Sequence, residues 1–201
     1  MAAVPRISEE ERATRREQIL DAAMRCVARE GFHKTSMAHV IRESGLSAGA
    51  VYGYFRSKEE IIGAVADRAM DIVGPAIGKA ISQSPAPRPT EIIHLVTHAI
   101  VRQTEEAEVD ITRVAVSAWA EAARDEAVRA TAAEKIGGFR SLYADVLRRG
   151  QEAGDVDPAV DAEHAAQALF AFMPGFMLQR LIFDDITPET YVEGIKALGV
   201  R

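Results

Sequence analysis

His94 and His98 stand four residues apart, with Glu91 one turn earlier. On a helix that spacing puts two imidazoles and a carboxylate on one face, a geometry metals accept. The same pair also suits a hydrogen-bonded pocket lining or plain surface structure, and the spacing leaves these readings open. Other chemistry has no foothold. There is no HExxH motif and no cysteine cluster, since Cys26 is alone. No glycine-rich phosphate loop follows a strand, no nucleophile elbow is present, and the serines, histidines and aspartates show no triad spacing. An enzyme reading therefore has no positive support, a metal-binding protein built on His94 and His98 stays the least favoured alternative, and no cofactor is expected.

The stretch from Thr35 to Lys58, TSMAHVIRESGLSAGAVYGYFRSK, carries a different chemistry. Thr35 or Ser36 can cap a first short helix, because a side-chain oxygen accepts a free amide of the first turn. Gly45 stops it, since glycine takes the left-handed cap conformation without steric cost. Ser47 caps a second helix, Ala48 to Phe55. Met37, Val40 and Ile41 form one apolar face, met by Leu46, Val51 and Phe55. Two short helices joined by a glycine-containing turn describe a helix-turn-helix, whose second helix enters the DNA major groove. Ala48, Gly49, Ala50 and Gly53 let a backbone come close to DNA, and Tyr52 and Tyr54 can reach phosphates. A packed helical corner without a ligand shares this geometry.

The matching run is longer than the motif. It begins at Arg15-Arg16-Glu17-Gln18-Ile19-Leu20-Asp21-Ala22-Ala23, passes through Glu30-Gly31-Phe32 and Thr35-Ser36-Met37, and ends at Val51 to Glu60. Over residues 8 to 66 the chain resembles the DNA-binding half of the tetracycline-repressor (TetR) family. The resemblance implies an all-α homodimer of about nine helices: a three-helix helix-turn-helix domain, residues 1–56, and a helical ligand-binding and dimerisation domain, residues 57–201, joined by helix four. It assigns Lys58 to a phosphate contact. The residues expected at the DNA are Thr35, Ser36, His39, Ser47, Ala48, Gly49, Ala50, Tyr52, Gly53, Tyr54 and Lys58. Relatives usually carry a hydrogen-bonding side chain early in the second helix, where this chain has Ala48, Gly49 and Ala50. Base readout is then thin, with alanine on a thymine methyl and DNA shape adding selectivity.

The chain has 201 residues and a net charge of −6, which at first argues against nucleic acid. The charge is unevenly placed. Residues 1–60 hold ten Lys/Arg against nine Asp/Glu; the remainder is strongly acidic. A DNA reader needs a local basic face rather than a basic chain. Arg6, Arg12, Arg15, Arg16, Lys34, Arg42, Arg56 and Lys58 are available for one. No signal peptide is visible and no apolar run approaches the roughly 20 residues that span a bilayer. A cytoplasmic protein without membrane contact is expected, with Cys26 as a small buried apolar group.

Capping boxes at Ser8–Glu11 and Ser57–Glu60 start the first and fourth helices, and Gly31 ends the first. Gly74-Pro75 should break or kink the fourth. Residues 82–89 read as a linker. Thr90 caps helix five (to about Glu108); helix six spans about 109–123. Asp125 and Gly154 bound helix seven, helix eight runs about 159–183, and Thr187-Pro188 opens helix nine. Proline and glycine at 174–175 imply a kink in helix eight.

The C-terminal half is rich in large apolar residues. The resemblance assigns helices four to seven to a ligand cavity, for which His98, Trp119, Phe139, Tyr143, Phe172 and Met173 are the candidate lining. It makes helices eight and nine a dimer interface, with Phe176, Leu181, Ile182, Tyr191 and Ile195 as candidates. The function these features imply is a small-molecule-responsive transcriptional regulator, a repressor on a palindromic double-stranded operator. A DNA-binding module controlled by a partner protein is the alternative, favoured by a packed core without a cavity.

Overall fold

The computed structural model describes residues 8–200, with backbone alone at 69–73, 76, 77, 80 and 81. Arg6 and the N-terminal arm lie outside the described residues. Among the described residues the chain forms nine helices and no strand: α1 Glu9–Lys34, α2 Met37–Ser44, α3 Ala48–Tyr52, α4 Lys58–Ile81, α5 Pro89–Glu106, α6 Ile111–Ala122, α7 Glu126–Ala153, α8 Ala162–Ile182 and α9 Pro188–Ala197.

Local chemistry sets most of these bounds. Ser8 accepts from the Glu11 amide while the Glu11 carboxylate accepts from the Ser8 amide. Ser36, Ser47 and Asp125 cap α2, α3 and α7 through amides three residues on. Gly45 and Gly154 end α2 and α7 at φ of 69° and 82°, where a side chain would be strained. Gly31 interrupts α1 at φ 76°, ψ 164°, a region essentially reserved for glycine.

Several bounds differ from expectation. α3 ends at Tyr52, not Phe55, because the amides of Tyr54 and Phe55 both fold back on the Val51 carbonyl and carry Phe55 into the core. The helical backbone of α4 runs on through Gly74 and Pro75, and that of α8 through Pro174. At α4 the Glu60 carboxylate accepts from the Arg56 amide, one residue beyond the box predicted, while Ser57 does accept from Glu60. α5 begins at Pro89, proline being pre-organised for a first helical position. Thr90 is thereby inside the helix and buried, and the Glu91 carboxylate takes the Arg88 amide at 2.8 Å. α8 starts at its Asp161 cap, later than predicted.

α1 packs on α2, α4 and α6, and α4 on α5 and α7; α7 lies against α8, and α9 against α5. Two apolar clusters result. The first joins α1–α4 to Ile111, Val114 and Val128, so the head shares its core with α6 and α7. The second joins α5, α7, α8 and α9 around Phe176, which is fully buried. Burial of a phenylalanine this completely contributes several kcal/mol, since truncation to alanine in such sites costs about 3–5 kcal/mol. By length and composition α8 could cross a membrane, with mean hydropathy 1.2, contrary to the sequence expectation. Its inner face, Met173, Phe176 and Met177, is packed, while Leu178 and Ile182 are exposed.

Candidate nucleic-acid interface and cavity

α2 and α3 present the predicted motif. The inward face of Val40, Val51 and Phe55 is buried in the head's core, with Met37, Ile41 and Leu46 packed around it. The outward face carries Ser47, Ala48 and Gly49, all exposed, and Tyr52, which is 49% exposed. A Cβ built on Gly49 would meet nothing within 4 Å. The surface is therefore open, and any close approach there must come from outside the subunit.

One of the eleven predicted contacts, Thr35, is placed otherwise, and Tyr54 is half-buried. Thr35 is buried, its hydroxyl donates to the Gly31 carbonyl at 2.9 Å, and its amide donates to the same oxygen. Both its polar groups are spent on ending α1, which removes it from the exposed set. Tyr54 lies beyond the end of α3 and packs against the head's core. His39 is half-buried, with Nδ1 facing the Glu30 carboxylate at 3.4 Å. Ser36 is half-buried and Ser47 exposed, each capping through an oxygen that keeps its hydroxyl proton to donate.

The cations divide into two groups. Arg25 and Arg29 are held by Glu43, Arg25 at 3.0 Å and Arg29 at 3.4 Å, and the Arg25 hydrogen bond keeps the Glu43 carboxyl below its usual range. Arg16 stacks over the Phe55 ring and pairs with Glu17. These brace the head. Arg12, Arg15, Lys34, Arg42, Arg56 and Lys58 make no ion pair with a described residue. Arg42 lies in the last turn of α2, and Lys34, Arg56 and Lys58 flank α2 and α3 in the chain, a local supply of the positive charge that phosphates need.

Behind the head lies a cavity of about 70 Å³. Phe32 of the head, Val65 and Ala66 of α4, Trp119 of α6, Phe139 of α7 and Met173 of α8 are among its walls. Trp119, Phe139 and Met173 were anticipated. His98, Tyr143 and Phe172 are not in it. Tyr143 is buried in the second core, where desolvation pushes its hydroxyl pKa up. The Phe172 carbonyl accepts from the Tyr191 hydroxyl at 2.8 Å. His98 is exposed on α5, its Nε2 2.9 Å from the Glu189 carboxylate of α9, and its ring meets that of His94 edge-on. Glu91, the third member of the spacing argument, is engaged by Arg88.

The cavity also contains a residue that the sequence reading missed, Lys135. Its ammonium lies 2.5 Å from the Asp67 carboxylate of α4. The available signal was a lone lysine among Ala132, Ile136 and Phe139 on the inward ridge of α7.

The predicted dimer residues also need correction. Phe176 and Ile195 are buried within the subunit, and Tyr191 is half-buried with its hydroxyl bonded. α9 is seated on α5 and is not an open face. Leu181 is half-buried; Ile182, at 63% exposed, lies on the open side. That side holds His164, Ala168, Ala171, Leu178 and Ile182, at spacings of four, three, seven and four along α8, with Leu142 exposed on neighbouring α7.

Residues 19–65 match the family model for bacterial regulatory proteins of the tetR family, and residues 89–198 match that for the C-terminal part of BetI-type transcriptional repressors. The HTH-type transcriptional regulator YfiR of Bacillus subtilis is 25% identical over 90% of this chain and 87% of its own length. Among solved structures, Salmonella enterica GusR superposes with a TM-score of 0.73 at 23% identity, over 96% of this chain and 98% of that one. A transcriptional regulator from Saccharomonospora viridis in complex with choline has a TM-score of 0.72 at 20% identity, over 92% and 95%. At these identities the structures speak for the fold alone.

Proposed function

The chain belongs to the tetR family of bacterial regulatory proteins, and from that premise we propose a one-component repressor released from its operator by a small apolar or amphipathic molecule. The observation that carries this reading is the composition of the cavity wall. Phe32 belongs to the head, Val65 and Ala66 to the connecting helix, and the remainder to α6–α8. A molecule in the cavity touches the DNA head and its lever at once. At about 70 Å³ the cavity is well below the roughly 300–1,000 Å³ of drug-sized sites. A ligand of that size fits only where the walls have spread, so its affinity differs between a pose of α4 that holds the heads at operator spacing and one, with the walls spread, that moves them off it. That difference is what a population shift requires.

The repressor works in the cytoplasm as a homodimer. The four-three-seven-four spacing of the α8 stripe fits the heptad register of helices that pack at a shallow angle, and Ala168 and Ala171 allow close approach. α7 and α8 from each subunit then form the interface, in place of α8 and α9. Two-fold symmetry sets the heads roughly 34–36 Å apart on a palindromic operator, or wider on distorted DNA. Ser36, His39, Ser47, Ala48, Gly49, Ala50, Tyr52, Gly53, Tyr54 and Lys58 meet the DNA.

In vitro selection with the full-length protein, followed by gel-shift assays against a library of small molecules, tests this. A selected palindrome whose complex is dissociated by a compound that also raises Tm is the expected result. A compound that bound free and operator-bound protein with equal affinity would sink the mechanism.

A further inference from the structure

Resting on the reading of the cavity as the effector site, we infer that the effector is a small uncharged molecule without a hydrogen-bonding group, a bare ring or short hydrocarbon and not an amphiphile. What faces the void carries this. Ala66 of α4, Ala115 and Ala118 of α6 and Ala132 of α7 meet there. The opening exists because these positions carry a methyl group where a longer side chain would close it. Two wall residues have polar side-chain atoms, and neither offers them to the void. Lys135 lends its aliphatic stem, while its ammonium lies at the exposed carboxylate of Asp67; long cationic side chains divide in this way between apolar surface and water. Trp119 lends the carbon of its rings. The surface a guest would touch is therefore almost wholly apolar.

Such a surface selects by penalty. A hydroxyl, an amine or a carboxylate carried inside would leave its water and find no partner, and the loss rises steeply from a neutral group to a charge. A carbon atom loses nothing on entry and gains contacts on every side. Apolar voids stay dry and accept apolar guests, and one of roughly 150 Å³ holds benzene. At about 70 Å³ this void is smaller, so a ring enters only as the walls move. Met173 and Met177, one turn apart on α8, are suited to that. Their side chains are unbranched and adapt to irregular shapes, and thioether sulfur packs well on aromatic edges. Phe32 and Val65 bring the head and the lever to the same void, so its widening is felt at both. The guest acts by its girth.

Trp119 is the only tryptophan and lines the void, so its fluorescence reports occupancy of the full-length protein without DNA. The probes are ethylbenzene, benzyl alcohol and benzylamine, which share a ring and a linking carbon and end in a methyl, a hydroxyl or an ammonium, with benzoate as the anion. Ethylbenzene should bind about tenfold or more tighter than benzyl alcohol, the effect of one unpaired hydroxyl. Neither ion should bind measurably. Ala132→Leu, which fills the void, should abolish ethylbenzene binding. Ala118→Ser, which puts a hydroxyl into the wall, should narrow the preference for ethylbenzene over benzyl alcohol several-fold. Benzyl alcohol or either ion binding as tightly as ethylbenzene, or ethylbenzene binding that survives Ala132→Leu, would overturn the inference. Should Ala132→Leu fail to fold, the wild-type series and Ala118→Ser read the same claim. A parallel gel shift on the selected operator separates the two proposals. Ethylbenzene bound in the void without DNA release keeps the ligand class and removes the effector reading. Release by benzylamine or benzoate, without an ethylbenzene preference, does the reverse.

Discussion

The exposed face of α3 and the exposed stripe of α8 are alike in composition and unlike in surroundings. Each presents small residues on a helix surface, Ala48, Gly49 and Ala50 on one and Ala168 and Ala171 on the other. Each lets another backbone come close. Beside α3 the chain places Lys34, Arg42, Arg56 and Lys58, which make no ion pair among the described residues, together with an exposed tyrosine. Beside the α8 stripe it places Leu142, Leu178 and Ile182. Small residues set how near a partner can come; their neighbours decide whether that partner is a polyanion or a second apolar helix.

The sharpest way to break this contrast lies within α8, where inward and outward residues are two apart. Phe176→Ala should cost about 3–5 kcal/mol and lower Tm steeply in a calorimetric scan. Leu178→Glu combined with Ile182→Glu should leave the subunit folded, because both side chains are already exposed. That double variant should run as a monomer in light scattering and bind the palindrome about 10²–10⁴-fold more weakly, the loss expected when linked binding becomes single. A dimer that survives it would mean the interface lies elsewhere.

On α3, Gly49→Glu enters open space and replaces a glycine in a helix, so Tm should hold or rise slightly. A carboxylate on the DNA side should nonetheless weaken operator binding by about a hundredfold or more, since like charges across an interface cost several kcal/mol. Unchanged gel shifts would show that this face does not meet DNA. The smallest effect belongs to Lys58→Ala. It should weaken binding a few-fold for all sequences alike and reduce the slope of log K against log salt by about one unit. A sequence-selective loss would make Lys58 a base contact instead.

The head was legible because its signals are local. Ser8, Ser36 and Ser47 each satisfy an amide three residues ahead, and Gly45 needs a conformation that glycine adopts cheaply; Asp125 and Gly154 do the same for α7. Where reading failed within the head, a second partner had intervened. Thr35 was read as a possible cap or contact, but the Gly31 carbonyl behind it takes both its donors. The extension of α3 to Phe55 failed because Phe55 is pulled into a core shared with α1 and α4.

The C-terminal domain was legible as helices and as an apolar inventory, and no further. Periodicity states which residues share a face of one helix. It does not state which other helix that face meets, so Phe176 and Ile195 were read as interface when α5 and α7 cover them. It equally cannot place a void, which is where Trp119, Phe139 and Met173 from three helices fail to close against Phe32 from a fourth. Sequence alone determined the helices, those ends set by a local cap, and the helix-turn-helix motif, because hydrogen bonds of three or four residues' span and backbone sterics act within one segment. Tertiary structure alone decided the cavity, the Lys135–Asp67 tie and the open stripe of α8, because each depends on how helices distant in the chain share one volume.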